Sequence, residues 1–213
     1  MSFWKTDAHS DARSLARAFI ARNSLMVALL AACPIRLKNF AALETQERLR
    51  KIGETWWIFI KDTKSKRADH RPVPDFLTGA IERYLDAYRP ILLGNSVDPE
   101  KGRNSHCLMR HRIPAEATSA LWISRLRGPM GYGQVERVIT QTSYRLIGVS
   151  ISPHLFRVAA ATTAALYSQS PHLAGALLQH SDERITIEHY IRANSLSVTR
   201  QFAALIGNLR DGP

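Results

Sequence analysis

Acidic residues are the scarce class in this chain. Eighteen Asp and Glu stand against twenty-nine Lys and Arg, which leaves a formal charge of +11 over 213 residues. A folded chain this basic commonly meets a polyanion. Its basic residues are spread along the sequence, which favours a charged surface or groove over a disordered basic arm. Cysteine is nearly missing as well. Cys33 and Cys107 lie far apart without metal-ligand spacing, and they read as reduced thiols of a cytosolic protein. Long apolar runs are also lacking. The longest, Leu25 to Ile35, is short for a bilayer and is interrupted by Pro34 and followed by Arg36. The chain opens without the basic, apolar and small-residue succession of a secretory signal. It has no internal repeat and no low-complexity tract. The hydrophobic content of 45% is ordinary and argues against global disorder.

What is present reads as mostly helical. One helix is expected from Ser10 or Asp11 through Arg22. A second, capped by Asn23 or Ser24, runs to about Ala32, where Pro34 stops it. Helical spacing resumes over Leu37 to Leu49. Thr55 to Ile60 (TWWIFI) is aromatic and β-branched and reads as a strand, with at least one of Trp56 and Trp57 in the core. The basic stretch Lys61 to Arg71, followed by Val73 and Pro74, suggests a hairpin with a charged tip. Asp75 is placed to cap a helix through about Tyr88, Gly94 to Pro114 reads as a long loop, and Leu121 to Ser124 is the candidate third strand. The segment RGPMGYG, Arg127 to Gly133, is a turn, and a helix follows from Gln134 to about Ile147. Ser152 and Pro153 suit the cap and first residue of another helix, to about Ser168, with further helices through Leu209. This is a mainly α chain with a small three-stranded antiparallel sheet, not a βαβ series.

Residues with chemistry concentrate in the last third: His154-Leu-Phe-Arg157, Leu177-Leu-Gln-His180 and Thr186-Ile-Glu-His-Tyr190. His154 and Arg157 are three apart at a helix start and share a face. That first turn also offers unpaired backbone N–H groups and the positive end of the helix dipole. A phosphate there would meet a guanidinium, an imidazole and N–H donors, with His180 as a further donor and Tyr190 as a hydroxyl nucleophile. Taken singly each residue has a plainer reading: Tyr190 a half-buried aromatic, Arg157 a surface arginine, His154 a cap.

Together these boxes resemble the H-x-x-R, L-G-H and final Tyr boxes of the tyrosine recombinase (phage integrase) family. PIRLKNFAAL, Pro34 to Leu43, resembles the family's first Arg box and places its Arg at Arg36. DTKSKR, Asp62 to Arg67, resembles the β-hairpin that carries the family's lysine, best matched by Lys64 with Lys66 as the alternative. The resemblance covers roughly residues 15–205, with five boxes in order. It implies the recombinase catalytic fold over 15–213, with 1–14 an arm or the remnant of a preceding domain.

The resemblance also implies roles. Tyr190 attacks the scissile phosphate and forms a 3′-phosphotyrosyl bond. Arg36 and Arg157 hold the non-bridging oxygens, and Lys64 protonates the leaving 5′ oxygen. His154 assists proton transfer at the tyrosine, and His180 donates to the phosphate. No metal or ATP is needed. The partner is double-stranded DNA, bound by a homotetramer on paired sites that is a monomer or weak oligomer without DNA, away from membranes and with the nucleoid in the cytoplasm. Lys66, Arg67, Arg125 and Arg127 are candidate phosphate contacts, which position DNA without reading bases. Gln179 stands where the L-G-H box usually has Gly, Val158 where many members have His, and Asn39 where many have an acid beyond the first Arg. A type IB topoisomerase, and a DNA-binding regulator that keeps the fold without cleavage, remain the alternatives.

Overall fold

A computed structural model of the chain describes residues 3–60, 69–94 and 118–167. The chain divides into two compact units, Met1–Pro153 and His154–Pro213.

In the first unit, helix α1 spans Phe3–Ala32 without a break. The expected interruption at Asn23 or Ser24 does not occur. The Asn23 side-chain oxygen instead accepts from Arg22 Nε and Nη2, at 3.0 and 2.8 Å, so it is not available to cap a helix start. The end of α1 buries Leu25, Met26, Leu29 and Leu30 at spacings that keep them on one side. As one helix, Ala12–Ala32 is long and apolar enough to cross a membrane by length and composition, a test that the core helix of a soluble protein passes as well. Here the helix contributes to the core, and Arg22 within it donates to the carbonyl of Ile123.

After Pro34 the chain makes a short helix, α2 (Leu37–Ala41), and then a three-stranded antiparallel sheet ordered β1 (Leu49–Ile52), β2 (Thr55–Ile60), β3 (Asp69–Pro72). Two expectations are corrected by this. Helical structure does not extend to Leu49, and the strand beside β2 is β1, in register Leu49↔Ile58 through Ile52↔Thr55. Leu121 to Ser124 is not a sheet strand. Its apolar run is buried, but its backbone groups are used elsewhere. Leu121 N–H donates to Leu43, Ser124 N–H to Gly128, and Met130 N–H to the carbonyl of Trp122. The carbonyls of Ala120 and Leu121 take side chains, Arg89 Nε at 3.1 Å and Tyr84 Oη at 2.8 Å. A buried run without a ladder satisfies the requirement that its polar backbone be paired. Neither Trp56 nor Trp57 is a core residue: both are half-buried.

The helical path that follows opens with a 3-10 turn at Asp75–Leu77, continues through α3 (Thr78–Arg83) and a π-helical turn at Tyr84–Tyr88, and ends in α4 (Arg89–Leu93). Pro74, not Asp75, occupies the cap position, and the path runs past Tyr88 to Leu93. Pro90 lacks the N–H that would close the preceding α turn, a local reason for the wider π turn before it. Gly94 ends the path at φ +84°, in the left-handed region. The expected loop beyond it lies almost wholly outside the described residues.

Helix α5 (Tyr132–Ile147) is the helix expected from Gln134 to about Ile147, but it opens two residues earlier, within the expected Arg127–Gly133 turn. Its first turn is closed by Gln134, whose side-chain oxygen accepts from Gly131 N–H at 3.0 Å. Gly148 ends it at φ +73°. Helix α6 (Pro153–Tyr167) begins at the expected proline. The core of the first unit centres on Trp122. Its ring stacks on Phe40 at 5.1 Å and tilts against Tyr84 at 6.0 Å, and its Nε1 donates to the carbonyl of Phe40 at 2.8 Å.

Candidate active site

Arg36 sits at the junction between α1 and α2. Pro34 and Ile35 are buried and anchor the chain there, while Arg36 is half-exposed. Its backbone is extended, with φ −63° and ψ 140°, and its carbonyl accepts the first helical bond, from Phe40 N–H at 2.9 Å. Phe40 is in turn held under Trp122. The guanidinium therefore leaves a backbone fixed on one side by buried apolar residues and on the other by an aromatic stack. Asn39, 7% exposed, lies on the same short helix.

The second unit starts with the His154–Arg157 pair. Pro153 supplies a first residue with no N–H to satisfy and a preset φ. Among the α6 residues whose burial is described, Pro153, Arg157 and Ala161, four apart, are buried, whereas His154 is exposed. Arg157 is 8% exposed, a position an arginine holds only with polar partners around its charge. One turn of helix thus presents an open imidazole beside a mostly enclosed guanidinium, at the helix end where backbone N–H groups favour anions. Before it, the chain between α5 and α6 is held by Ser143, whose Oγ accepts from Ile151 N–H at 2.8 Å and donates to Thr140 at 2.9 Å.

The candidate lysine belongs to the β2–β3 connection. Ile60 and Asp69 are paired across the two strands, so residues 61–68 leave and return at adjacent points. At that base Asp69 and Arg71 form a nearly buried ion pair, Arg71 Nη2 to Asp69 Oδ2 at 2.8 Å, with side chains 8% and 12% exposed. Lys64, Lys66 and Arg67 themselves lie outside the described residues, as do His180 and Tyr190.

The two remaining candidates are described, and both touch protein. Arg125 is exposed with its guanidinium 5.5 Å from the Phe19 ring, next to Arg22 at 5.0 Å from the same ring. Arg127 has φ +65° within the turn closed by Ser124 and Gly128, and its guanidinium lies against the Cα of Gly94. Sequence reasoning missed the arginines that hold the first unit together. Arg22 and Arg89 are pulled below the ordinary arginine range by burial, and both donate to backbone carbonyls, of Ile123 and of Thr118 and Ala120. It also missed Arg50, 3.9 Å over the Phe59 ring on the outer side of the sheet, with His70 against the same ring at 4.7 Å. Only the alternation of TWWIFI could have hinted at that face. Among the described residues, no group of three or more His, Cys, Asp or Glu is placed to hold a metal ion.

Comparison with known proteins gives one family and one fold. The model of the phage integrase family matches residues 8–196. Among solved structures, the chain is similar to that of XerA recombinase, with a TM-score of 0.59 and 18% identity, over 91% of this chain and 62% of that one. It is also similar to XerH site-specific recombinase bound to a palindromic difH substrate in a post-cleavage complex, with a TM-score of 0.55 and 13% identity, over 95% of this chain and 52% of that one. The pre-cleavage complex of XerH with difH gives 0.53 and 13%, over 85% of this chain and 48% of that one. The chain thus spans about half to three fifths of the length of these structures. No curated protein sequence matches it.

Proposed function

This chain belongs to the phage integrase family, and from that membership we propose that it breaks and rejoins double-stranded DNA at specific sites through a 3′-phosphotyrosyl link. The observation that carries the reading is the coincidence of the family match with the local geometry of two boxes. Arg36 leaves a rigid α1–α2 junction, and His154 and Arg157 share the first turn of α6.

In the proposed reaction the Tyr190 oxygen attacks the scissile phosphorus as its proton departs, with His154 assisting. A tyrosine–phosphorus bond forms and the bond to the 5′ oxygen breaks, with Lys64 supplying the proton that the leaving oxygen takes. Arg36 and Arg157 stabilise the charge on the non-bridging oxygens, and His180 donates one more hydrogen bond. Free tyrosine, with a pKa of about 10, is a weak nucleophile at neutral pH, and nearby cations favour its ionised form. Two guanidiniums present flat, permanently charged forks that a lysine does not reproduce. Attack by the freed 5′ hydroxyl of a second strand reverses the step and releases the tyrosine, so the bond energy is conserved without ATP or metal. Strand exchange between two sites would use a homotetramer assembled on DNA.

A nicked suicide substrate, which traps the covalent state by losing a short 5′ fragment, tests this. The wild-type chain should form a protein–DNA adduct, and Tyr190→Phe should abolish it while DNA binding stays within about twofold. Loss of one oxygen-binding donor, as in Arg157→Ala, should slow adduct formation by on the order of 10²–10³. An adduct that persists in the Phe variant overturns the assignment. Relaxation of supercoiled plasmid without site preference would instead favour the topoisomerase reading, and tight binding without cleavage the regulator.

A further inference from the structure

The first unit carries an open apolar groove of about 420 Å³ between α1 and the α3–α4 path. Its floor on α1 is Ala21, Ser24, Leu25 and Ala28, spaced three and four apart, with Ala80 opposite. Small side chains keep the floor low, and Ile20, 65% exposed, forms one wall. From Arg17 to Ala28 the stripe is roughly 16 Å long at the helical rise, about three turns of a second helix. At the mouth stand Arg17 and Arg83, both exposed. Among the described residues neither makes an ion pair or hydrogen bond, in contrast to Lys51 nearby on the sheet, which is 2.9 Å from Glu82.

We propose that this groove is a docking site for an acidic amphipathic helix of a partner protein, its apolar face on the Ala21–Ala28 floor and its carboxylates on Arg17 and Arg83. The charge pattern selects the occupant. A second copy of a +11 chain brings like charge to two unpaired arginines. The C-terminal stretch Ser195–Leu209 is apolar enough but carries Arg200 and no acid, so it too brings the wrong sign. The length and openness of the stripe suit a helix laid along it, read through anchors at helical spacing, more than an enclosed small molecule. None of the residues assigned to the phosphate lines the groove, and the proposal does not depend on the cleavage chemistry.

The test uses the full chain and a fluorescein-labelled peptide of about sixteen residues with leucines on one helical face and glutamates flanking them. Fluorescence anisotropy should show saturable binding that is weakened about tenfold or more by Ala28→Trp, which fills the floor, and by the double change Arg17→Glu with Arg83→Glu. A peptide of identical composition with the leucines scrambled around the helix should bind at least about tenfold more weakly. Thermal unfolding followed by circular dichroism checks that the variants fold. Equal binding of both peptides means general attraction of anions to a basic protein and overturns the proposal. An affinity unchanged by Ala28→Trp overturns it as well. So does absence of peptide binding together with capture by phosphatidylglycerol vesicles, since the groove would then serve a lipid surface. DNA cleavage is not read in any arm, so failure here leaves the recombinase reading where it stood.

Discussion

Arginines do much of the structural work that this sequence would assign to apolar residues. Arg22 and Arg157 are 4% and 8% exposed, and Arg22 and Arg89 close on backbone carbonyls of a segment about a hundred and about thirty residues further on. No local pattern announces such partners, which is why they were invisible in the sequence while the end of α1 before Pro34 and the start of α6 at Pro153 were legible. Cys33 is a second hidden group. It is buried, and loss of water pushes its thiol from 9.0 up to about 11, partly opposed by the charge of Arg71. A thiol whose folded pKa is raised favours the folded state in its neutral form. Its contribution is intact below pH 9.0 and is lost as pH climbs toward about 11. Urea unfolding should therefore show stability falling over that window by up to roughly 2–3 kcal/mol from this group. Cys33→Ala should flatten that part of the profile relative to wild type. Tyr84, also pushed up by burial, contributes to both proteins and cancels in the difference. Parallel profiles would show that the thiol does not ionise on unfolding.

Elements with strong local signals were readable and those decided by distant pairing were not. Helices α5 and α6 and the β2–β3 hairpin follow from caps, a proline and a β-branched run. Strand β1 was hidden because Leu37 to Leu49 keeps helical spacing, yet only Leu37–Ala41 is helical and Leu49 pairs with Ile58. The 121–124 segment misled in the opposite way. It is apolar like a buried strand, but Tyr84, Arg89 and Arg22 take carbonyls along 120–123. The helix ends make a graded prediction. Gly94 and Gly148 both have positive φ, so alanine is strained at each, by about 1 kcal/mol. At Gly148 a Cβ meets open space, whereas at Gly94 it collides with the Arg127 guanidinium. Gly94→Ala should lower the unfolding midpoint by no less than Gly148→Ala, any excess being what it takes to move the flexible end of Arg127. Equal shifts would mean that Arg127 moves aside freely and does not brace the end of α4.

At the scale of the whole molecule, the charge and the family membership both support the proposal that the partner is DNA. The family match over residues 8–196 takes in every candidate residue from Arg36 to Tyr190, and the fold it implies, mainly helical with a small antiparallel sheet, is the fold observed. The candidate site was read from short, ordered boxes, and its residue roles stand as the proposal made above. His180, Tyr190 and the hairpin lysines are placed only by those boxes. With a charge of +11, DNA affinity should be dominated by phosphates. Raising salt from about 50 to 200 mM should cost on the order of 10³ in affinity if six or more phosphates are neutralised. A flat dependence would contradict a basic binding surface.

The chain has six tyrosines. Digesting the trapped DNA adduct with nuclease and protease, then finding by mass spectrometry which tyrosine carries the nucleotide, tests the account most directly. The modified residue should be Tyr190 alone. A nucleotide on Tyr84, Tyr88, Tyr132, Tyr144 or Tyr167, or on no tyrosine, would contradict it.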